Sequence, residues 1–277
     1  MRLDRPTGYM LLFYPISFSL LFFGELNVDL FYLMIIFFIG SIVMRSAGCI
    51  INDLFDQEID KINLRTQLRP LVTNKITITN AILCLIILLF IGIIILTRLN
   101  LPSIILGVLI IPLVILYPLA KRFFFIPQVV LAITYNWGCF IAWVSIGAPS
   151  EIYLIMLLYL SMVSWTIIYD TVYATQDEID DKKMLLNSSA ILFGSSKMLI
   201  LNCLILIQYF LLIFIGFNQN FNLLYFIIIL VIFLLNFLDI NLIWKNSPTN
   251  AGKYFKRNNY YGFLILLSII IGGHFYV

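Results

Sequence analysis

Asn52-Asp53-Leu54-Phe55-Asp56-Gln57-Glu58-Ile59-Asp60 begins where a long apolar stretch ends, and Asp170-Thr171-Val172-Tyr173-Ala174-Thr175-Gln176-Asp177-Glu178-Ile179-Asp180-Asp181 does the same further along. Several negative charges beside a low-dielectric slab are costly, so a functional site is the default reading of both stretches. The rest of the 277-residue chain supplies the slab, since 62% of its residues are hydrophobic and only 11% charged. No soluble fold needs that much apolar surface, and the composition points to a polytopic membrane protein with no nucleic-acid partner.

Apolar runs of spanning length give nine candidate helices, at 9–24, 30–54, 79–97, 101–119, 128–148, 151–174, 198–217, 221–243 and 259–276. Unpaired backbone is intolerable in lipid, so each run is read as a helix and the fold class as all-α. The start, Met1-Arg2-Leu3-Asp4-Arg5-Pro6, leads into the first span without a small-residue cleavage site and is read as part of that span rather than a removable signal. A single polytopic domain over 1–277 is expected. Cys49, Cys84, Cys139 and Cys203 lie in apolar runs without metal-ligand spacing and are read as small buried packing residues. The lone His274 is read as an interfacial residue.

The basic residues sort by connection. Arg2 and Arg5 precede the first span; Lys61, Arg65, Arg69 and Lys75 follow the second; Lys121 and Arg122 follow the fourth. Lys182, Lys183 and Lys197 follow the sixth, and Lys245, Lys253, Lys256 and Arg257 follow the eighth. The opposite connections carry Glu25, Asp29 and Glu151, with Arg98 the exception. The positive-inside rule then places the N-terminus and both acidic stretches on the cytoplasmic side and the C-terminus outside. The second and sixth spans both end in an acidic stretch followed by a basic connection. Two pseudo-symmetric four-helix halves plus a ninth helix would set the stretches face to face.

A helix continuing through the first stretch puts Asp53, Asp56 and Asp60 on one face, at i, i+3 and i+7. The same geometry aligns Asp170, Tyr173, Asp177 and Asp181, with Asp180 close to that face. Two carboxylate faces suit Mg²⁺, which takes one or two protein carboxylates and fills its shell with water and phosphate oxygens. The ion would stabilise a diphosphate leaving group as a Lewis acid. Arg65, Arg69, Lys121, Arg122 and Lys183 could neutralise the remaining charge, arginine being suited to bidentate phosphate contact. Arg45 lies inside the second span, where an arginine faces a polar cavity or pairs with a carboxylate. A cation transporter would also use intramembrane acids, but near the midplane of the bilayer rather than at one surface beside basic loops.

These residues carry a resemblance that covers nearly the whole chain. Arg2-Leu3-Asp4-Arg5-Pro6-Thr7-Gly8, Met44-Arg45-Ser46-Ala47-Gly48-Cys49, Arg65-Thr66-Gln67-Leu68-Arg69-Pro70-Leu71 and Tyr117-Pro118-Leu119-Ala120-Lys121-Arg122 belong to it. So do Ile126-Pro127-Gln128-Val129-Val130-Leu131, Tyr169-Asp170-Thr171-Val172-Tyr173-Ala174, Ser188-Ser189-Ala190-Ile191-Leu192-Phe193-Gly194 and Asn258-Asn259-Tyr260-Tyr261-Gly262. The chain resembles the UbiA-type membrane prenyltransferases, and the runs flanking the acids resemble their 4-hydroxybenzoate branch.

That resemblance implies a helical bundle in a bacterial inner (plasma) membrane, Mg²⁺ as cofactor, and polyprenyl diphosphate and 4-hydroxybenzoate as substrates. It implies that Asp53, Asp56, Asp60, Asp177 and Asp181 coordinate Mg²⁺ and diphosphate. Asn52 would orient metal water or phosphate. Lys121 and Arg122 would meet diphosphate or the acceptor carboxylate, and Asp170, Asp180 and Tyr173 would orient the acceptor or take its proton. Asn187 stands where the family carries a lysine, leaving Lys182 or Lys183 to compensate, and Ala132 stands where glycine is common. The acid motifs by themselves admit other acceptors of the superfamily: a dihydroxynaphthoate, a homogentisate or a haem.

Overall fold

A computed structural model describes residues 3–63, 65–148 and 151–274. Arg2 and the side chain of His274 lie outside the described residues. In chain order the helices are α1 Thr7–Phe23, α2 Val28–Phe55, α3 Gln57–Ile62, α4 Ile78–Leu96, α5 Leu101–Leu109, α6 Ile111–Leu116, α7 Ala120–Phe123 and α8 Pro127–Asn136. There follow α9 Gly138–Ser145, α10 Ile152–Ala174, α11 Glu178–Lys183, α12 Ser189–Phe193, α13 Lys197–Asn218, α14 Leu223–Leu238 and α15 Pro248–His274. No strand occurs among the described residues.

Seven stretches are long and apolar enough to cross a membrane: Val28–Phe55, Ile78–Leu96, Leu101–Phe123, Pro127–Ser145, Ile152–Ala174, Ser189–Asn218 and Leu223–Trp244. α1 is apolar but only 17 residues long, and α15 is long but opens with Lys253, Lys256 and Arg257 inside the helix. Those three cations are therefore helical rather than loop residues, and the last helix begins eleven residues before the expected 259.

Several expected spans are interrupted. The fourth breaks between α5 and α6, where Pro112 lies in the first turn of α6; proline lacks the N–H and crowds the preceding turn. It breaks again at a 3₁₀ turn, Tyr117–Leu119. The fifth breaks at Trp137. Beside that break a Cβ on Gly138 would come within 2.6 Å of Ile16 Cγ1, so glycine allows α9 to sit closely on α1. The eighth ends in a π-helical turn, Asp239–Trp244.

The core sits on α1, α10 and α15. Almost all of α1 from Leu11 to Phe23 is buried, with Tyr14 stacked on Phe18 and Phe18 on Trp165 of α10. Lipid tails are as apolar as leucine, so such burial draws on close packing rather than on exclusion of water. By contrast only Ala81 of α4 is buried, and most of its isoleucines and leucines face outward. Asn27, Thr77, Asn100, Ser188 and Asn222 cap the helices that follow them by accepting from backbone N–H groups, satisfying donors that a helix start leaves unpaired. Cys49 and Cys139 are buried as expected, but Cys203 is exposed on the outer face of α13 and Cys84 is half-buried.

Candidate active site

Neither acidic stretch continues as one helix. α2 stops at Phe55, Asp56 adopts φ −99° and ψ 8°, and α3 resumes at Gln57. α10 stops at Ala174, and Asp177 adopts φ −104° and ψ 1° just before α11. Both turns then close identically: Asp60 N–H donates to Asp56 O at 2.8 Å, and Asp181 N–H donates to Asp177 O at 2.8 Å.

The break at Asp56 divides the first acid set, correcting the expectation of one continuous face. Asp53 and Asp60 both take the guanidinium of Arg69, Asp53 at 3.0 Å. Asp56 turns instead to a polar cavity of about 200 Å³ and accepts from Lys121 Nζ at 2.7 Å through Oδ2. The second set stays together despite its break, with Asp170, Tyr173, Asp177 and Asp181 all lining the same cavity. Asn52, Tyr117, Gln128 and Asn187 complete its polar wall.

The connection after α3 joins the two stretches. Arg65 grips Asp177 in a fork, Nε to Oδ1 at 2.9 Å and Nη2 to Oδ2 at 2.5 Å, while its Nη1 donates to the Tyr173 hydroxyl at 2.9 Å. The guanidinium carbon also lies 5.2 Å from the centre of the Tyr173 ring, a favourable place for a cation. Asn63 adds a hydrogen bond to Asp177 Oδ1 at 3.1 Å. On the other side Asn187 N–H donates to Lys121 O at 3.0 Å, and Ser189 N–H donates to Gln128 Oε1 at 2.9 Å. The segment after α11 is thereby tied to α7 and α8.

Burial pushes the Asp60 carboxyl above the ordinary carboxylate range, with Arg69 pulling the other way. Burial, reinforced by the neighbouring charge of Asp177, raises Asp181 to about 6. Glu178 moves oppositely: burial would raise it, but hydrogen bonds from Lys182 and Lys197 leave it below its usual value.

The remaining residues singled out in the sequence fall outside the cavity wall. Arg122 donates from Nη2 to Phe55 O at 3.0 Å, at the exposed end of α2. Lys183 pairs with Asp180 at 3.4 Å and is 71% exposed. Lys182 pairs with Glu178 at 2.8 Å. Neither lysine lines the cavity, whereas Asn187 does. Arg45 is half-buried with its guanidinium carbon 5.7 Å from the centre of the Tyr135 ring and its Nε against Gly8. It makes no ion pair among the described residues, although Asp170 lies within its electrostatic reach.

Mg²⁺ fits this donor set. Asp56 is 9% exposed, and its Oδ1 is buried without a hydrogen-bond partner among the described residues, a hard anionic oxygen free to ligate. No three acids among the described residues converge closely enough to hold an ion by themselves. That agrees with a metal that takes few carboxylates and completes its shell with water and phosphate.

Sequence reading missed Tyr117 and Gln128, each a polar side chain in an otherwise apolar run, and it missed Asp239. Asp239 is buried at the π-helical turn, accepts from the Tyr261 hydroxyl and pairs with Arg257 Nε at 2.9 Å. A lone acid inside an apolar run was the available signal.

Fold and cavity together define a class: a helical membrane protein whose polar chamber presents carboxylates and cations side by side. The chain belongs to the UbiA prenyltransferase family, whose model matches residues 12–267. It is 36% identical over 274 residues to the mitochondrial 4-hydroxybenzoate polyprenyltransferase of Drosophila pseudoobscura pseudoobscura, covering 98% of this chain and 69% of that protein. It is also 36% identical over 273 residues to the 4-hydroxybenzoate octaprenyltransferase of Francisella tularensis subsp. novicida (strain U112), covering 98% and 95%. A UbiA homologue from Aeropyrum pernix K1 has the same fold, with a TM-score of 0.79 at 22% identity over 98% of each chain. Another, from Archaeoglobus fulgidus and bound to DMAPP and Mg²⁺, gives 0.65 at 19% identity over 96% of this chain and 98% of that one.

Proposed function

We propose that the protein transfers a polyprenyl group from a polyprenyl diphosphate to 4-hydroxybenzoate, ortho to its hydroxyl, as in ubiquinone biosynthesis. The observation that carries this reading is the single cavity in which Asp56 of one acidic turn and Asp177 and Asp181 of the other stand beside Lys121. The family membership and the names of the full-length relatives support the acceptor.

Asp56, Asp177 and Asp181, with Asp53 and Asp60 behind them, would hold Mg²⁺ at the place where the diphosphate binds. Bound there, Mg²⁺ supplies the positive charge that a departing diphosphate needs. Arg65, Arg69 and Lys121 neutralise the carboxylates and supply positive charge that can follow a phosphate. Arg65 keeps a planar fork suited to phosphate oxygens. Arg45, in no ion pair among the described residues and over the Tyr135 ring, receives the acceptor carboxylate. Asn52, Tyr117 and Tyr173 orient the ring, and the Asp170 carboxylate takes the proton released when it is alkylated. Phenylalanine and isoleucine side chains of the helices enclose the prenyl tail and keep water from the cation-like carbon.

In the same reading α1 and α15 also cross the bilayer, giving nine spans in one domain, with two four-helix halves and a last helix. The matched turns at Asp56 and Asp177 support that repeat. Both turns open on the cytoplasmic face of a bacterial inner membrane, the side marked by the basic connections.

Membranes containing the protein, given labelled polyprenyl diphosphate, Mg²⁺ and 4-hydroxybenzoate, should form a ring-alkylated benzoate. Product with dihydroxynaphthoate or homogentisate but none with 4-hydroxybenzoate would overturn the assignment of the acceptor.

A further inference from the structure

Lys197 is the first residue of α13 and its side chain is only 3% exposed, yet its ammonium meets a single acid, Glu178 Oε2, at 2.8 Å. A buried ammonium is costly unless paired and hydrogen-bonded, so this contact ties two segments firmly. The other oxygen of Glu178, Oε1, accepts from Lys182 at 2.8 Å. Glu178 is the first residue of α11, next to Asp177 at the turn and one helical turn from Asp181. Residues 177 and 181 share a face, while 178 is rotated about 100° from it. Glu178 accordingly lies off the cavity wall that Asp177 and Asp181 form. Gly194, at φ 46°, supports the tight turn Gly194–Ser196 that delivers Lys197 to this place; that backbone region is open to glycine at no steric cost.

The equivalent turn of the first stretch has nothing of this kind. Gln57 occupies the position of Glu178 and reaches only Leu54 O, at 3.5 Å. There α3 is held through its own acid, Asp60, by Arg69. α11 is held from behind, and the Asp181 carboxylate makes no hydrogen bond or ion pair among the described residues.

We infer that Glu178 and Lys197 form a positioning strut that fixes α11 so that Asp177 and Asp181 reach the metal with Asp181 left open to ligate. The inference rests on the reading of those two aspartates as Mg²⁺ ligands. The pair touches no substrate; it acts through α11.

The test uses the full chain in detergent micelles, with Mn²⁺ as the probe and its binding measured by electron paramagnetic resonance without turnover. Lys197→Met should weaken Mn²⁺ binding about 10–100-fold, the range seen when a partner behind a metal ligand is lost. The Mg²⁺ concentration for half-maximal transfer should rise with it, while kcat at saturating Mg²⁺ stays close to wild type. Lys197→Arg should restore the binding. Glu178→Gln keeps shape and a hydrogen bond but removes the charge, and it should fall between the two even if Lys197→Met fails to fold. Wild-type Mn²⁺ affinity in Lys197→Met and Glu178→Gln, with only their melting temperatures lowered, would reduce the strut to a structural tie and overturn the inference. Absence of saturable Mn²⁺ binding by the wild type would sink the metal reading itself.

Discussion

Asp56–Ile62 and Asp177–Lys183 follow the same path: an aspartate at the break, a six-residue helix, and an acid four residues on whose N–H returns to the first. The side chains then diverge. Asp60 is 4% exposed and closed by Arg69, an arginine from its own connection. Asp177 is closed by Arg65, which comes from the connection of the other stretch, and Asp181 is left open. The last acid of one turn is closed by its own connection; the other turn is completed by its counterpart and propped by Glu178 and Lys197. A repeated backbone therefore does not make two equivalent half-sites. The Asp60 end of the first turn is closed for stability, while the Asp181 end of the second is left open.

The largest effect should come from the acids that face the cavity. Asp56→Ala and Asp177→Ala should each lower kcat at least about 10²-fold, the scale of losing one electrostatic contact at a reacting centre. Chelation should abolish transfer in the wild type until Mg²⁺ is returned. Turnover near normal in either variant would remove that turn from the chemistry and break the comparison.

Arg69→Ala comes next, and it should act on stability. It leaves Asp60 charged and buried without its partner, at a cost of about 3–5 kcal/mol, visible as a large drop in melting temperature in detergent. Arg65→Ala should behave differently. Its side chain is 34% exposed, so screened pairing is worth about 1 kcal/mol or less, and the main loss should be a raised KM for the prenyl diphosphate. Equal melting losses for the two arginines would erase the distinction between a closed turn and an adaptable one.

Arg122→Ala should do least, because its guanidinium only caps Phe55 O at the surface where α2 enters the first turn. A stability change of about 0.5 kcal/mol is expected, with the KM for 4-hydroxybenzoate unchanged. A selectively raised acceptor KM would return Arg122 to the site that its sequence position suggested.

Much of the bundle was legible because lipid imposes a simple demand, a long apolar run with every backbone group bonded internally. Eight of the nine expected runs, 259–276 excepted, begin within a few residues of a helix start in the structure, counting the 198–217 run with Lys197. The interruptions were less visible. Pro112 announces one, but the breaks at Trp137 and Asp56 depend on how neighbouring helices pack. At the site, acid spacing grouped Asp170, Tyr173, Asp177 and Asp181, and these four line one cavity although the helix breaks after Ala174. It could not show that Arg65 crosses to Asp177, since that contact spans 112 positions and exists only after the connections fold over each other. Lys197 was read as an orientation signal, whereas it is buried against Glu178. Asp239, with Tyr261 and Arg257, shows the converse: a membrane acid can be satisfied locally, and pairing rather than location separates it from Asp56, whose second oxygen stays unclaimed.

The Tyr14 hydroxyl donates to Asn259 O across 245 positions at 2.9 Å, and α1 is sheathed largely by later segments. During synthesis α1 thus emerges long before α9 and α15, two of the helices that pack against it. Until then its aromatic face must be sheltered by lipid, by the insertion machinery or by transient partners. A chain that stops before α15 would release α1 into the bilayer half-clothed, a ready substrate for membrane quality control.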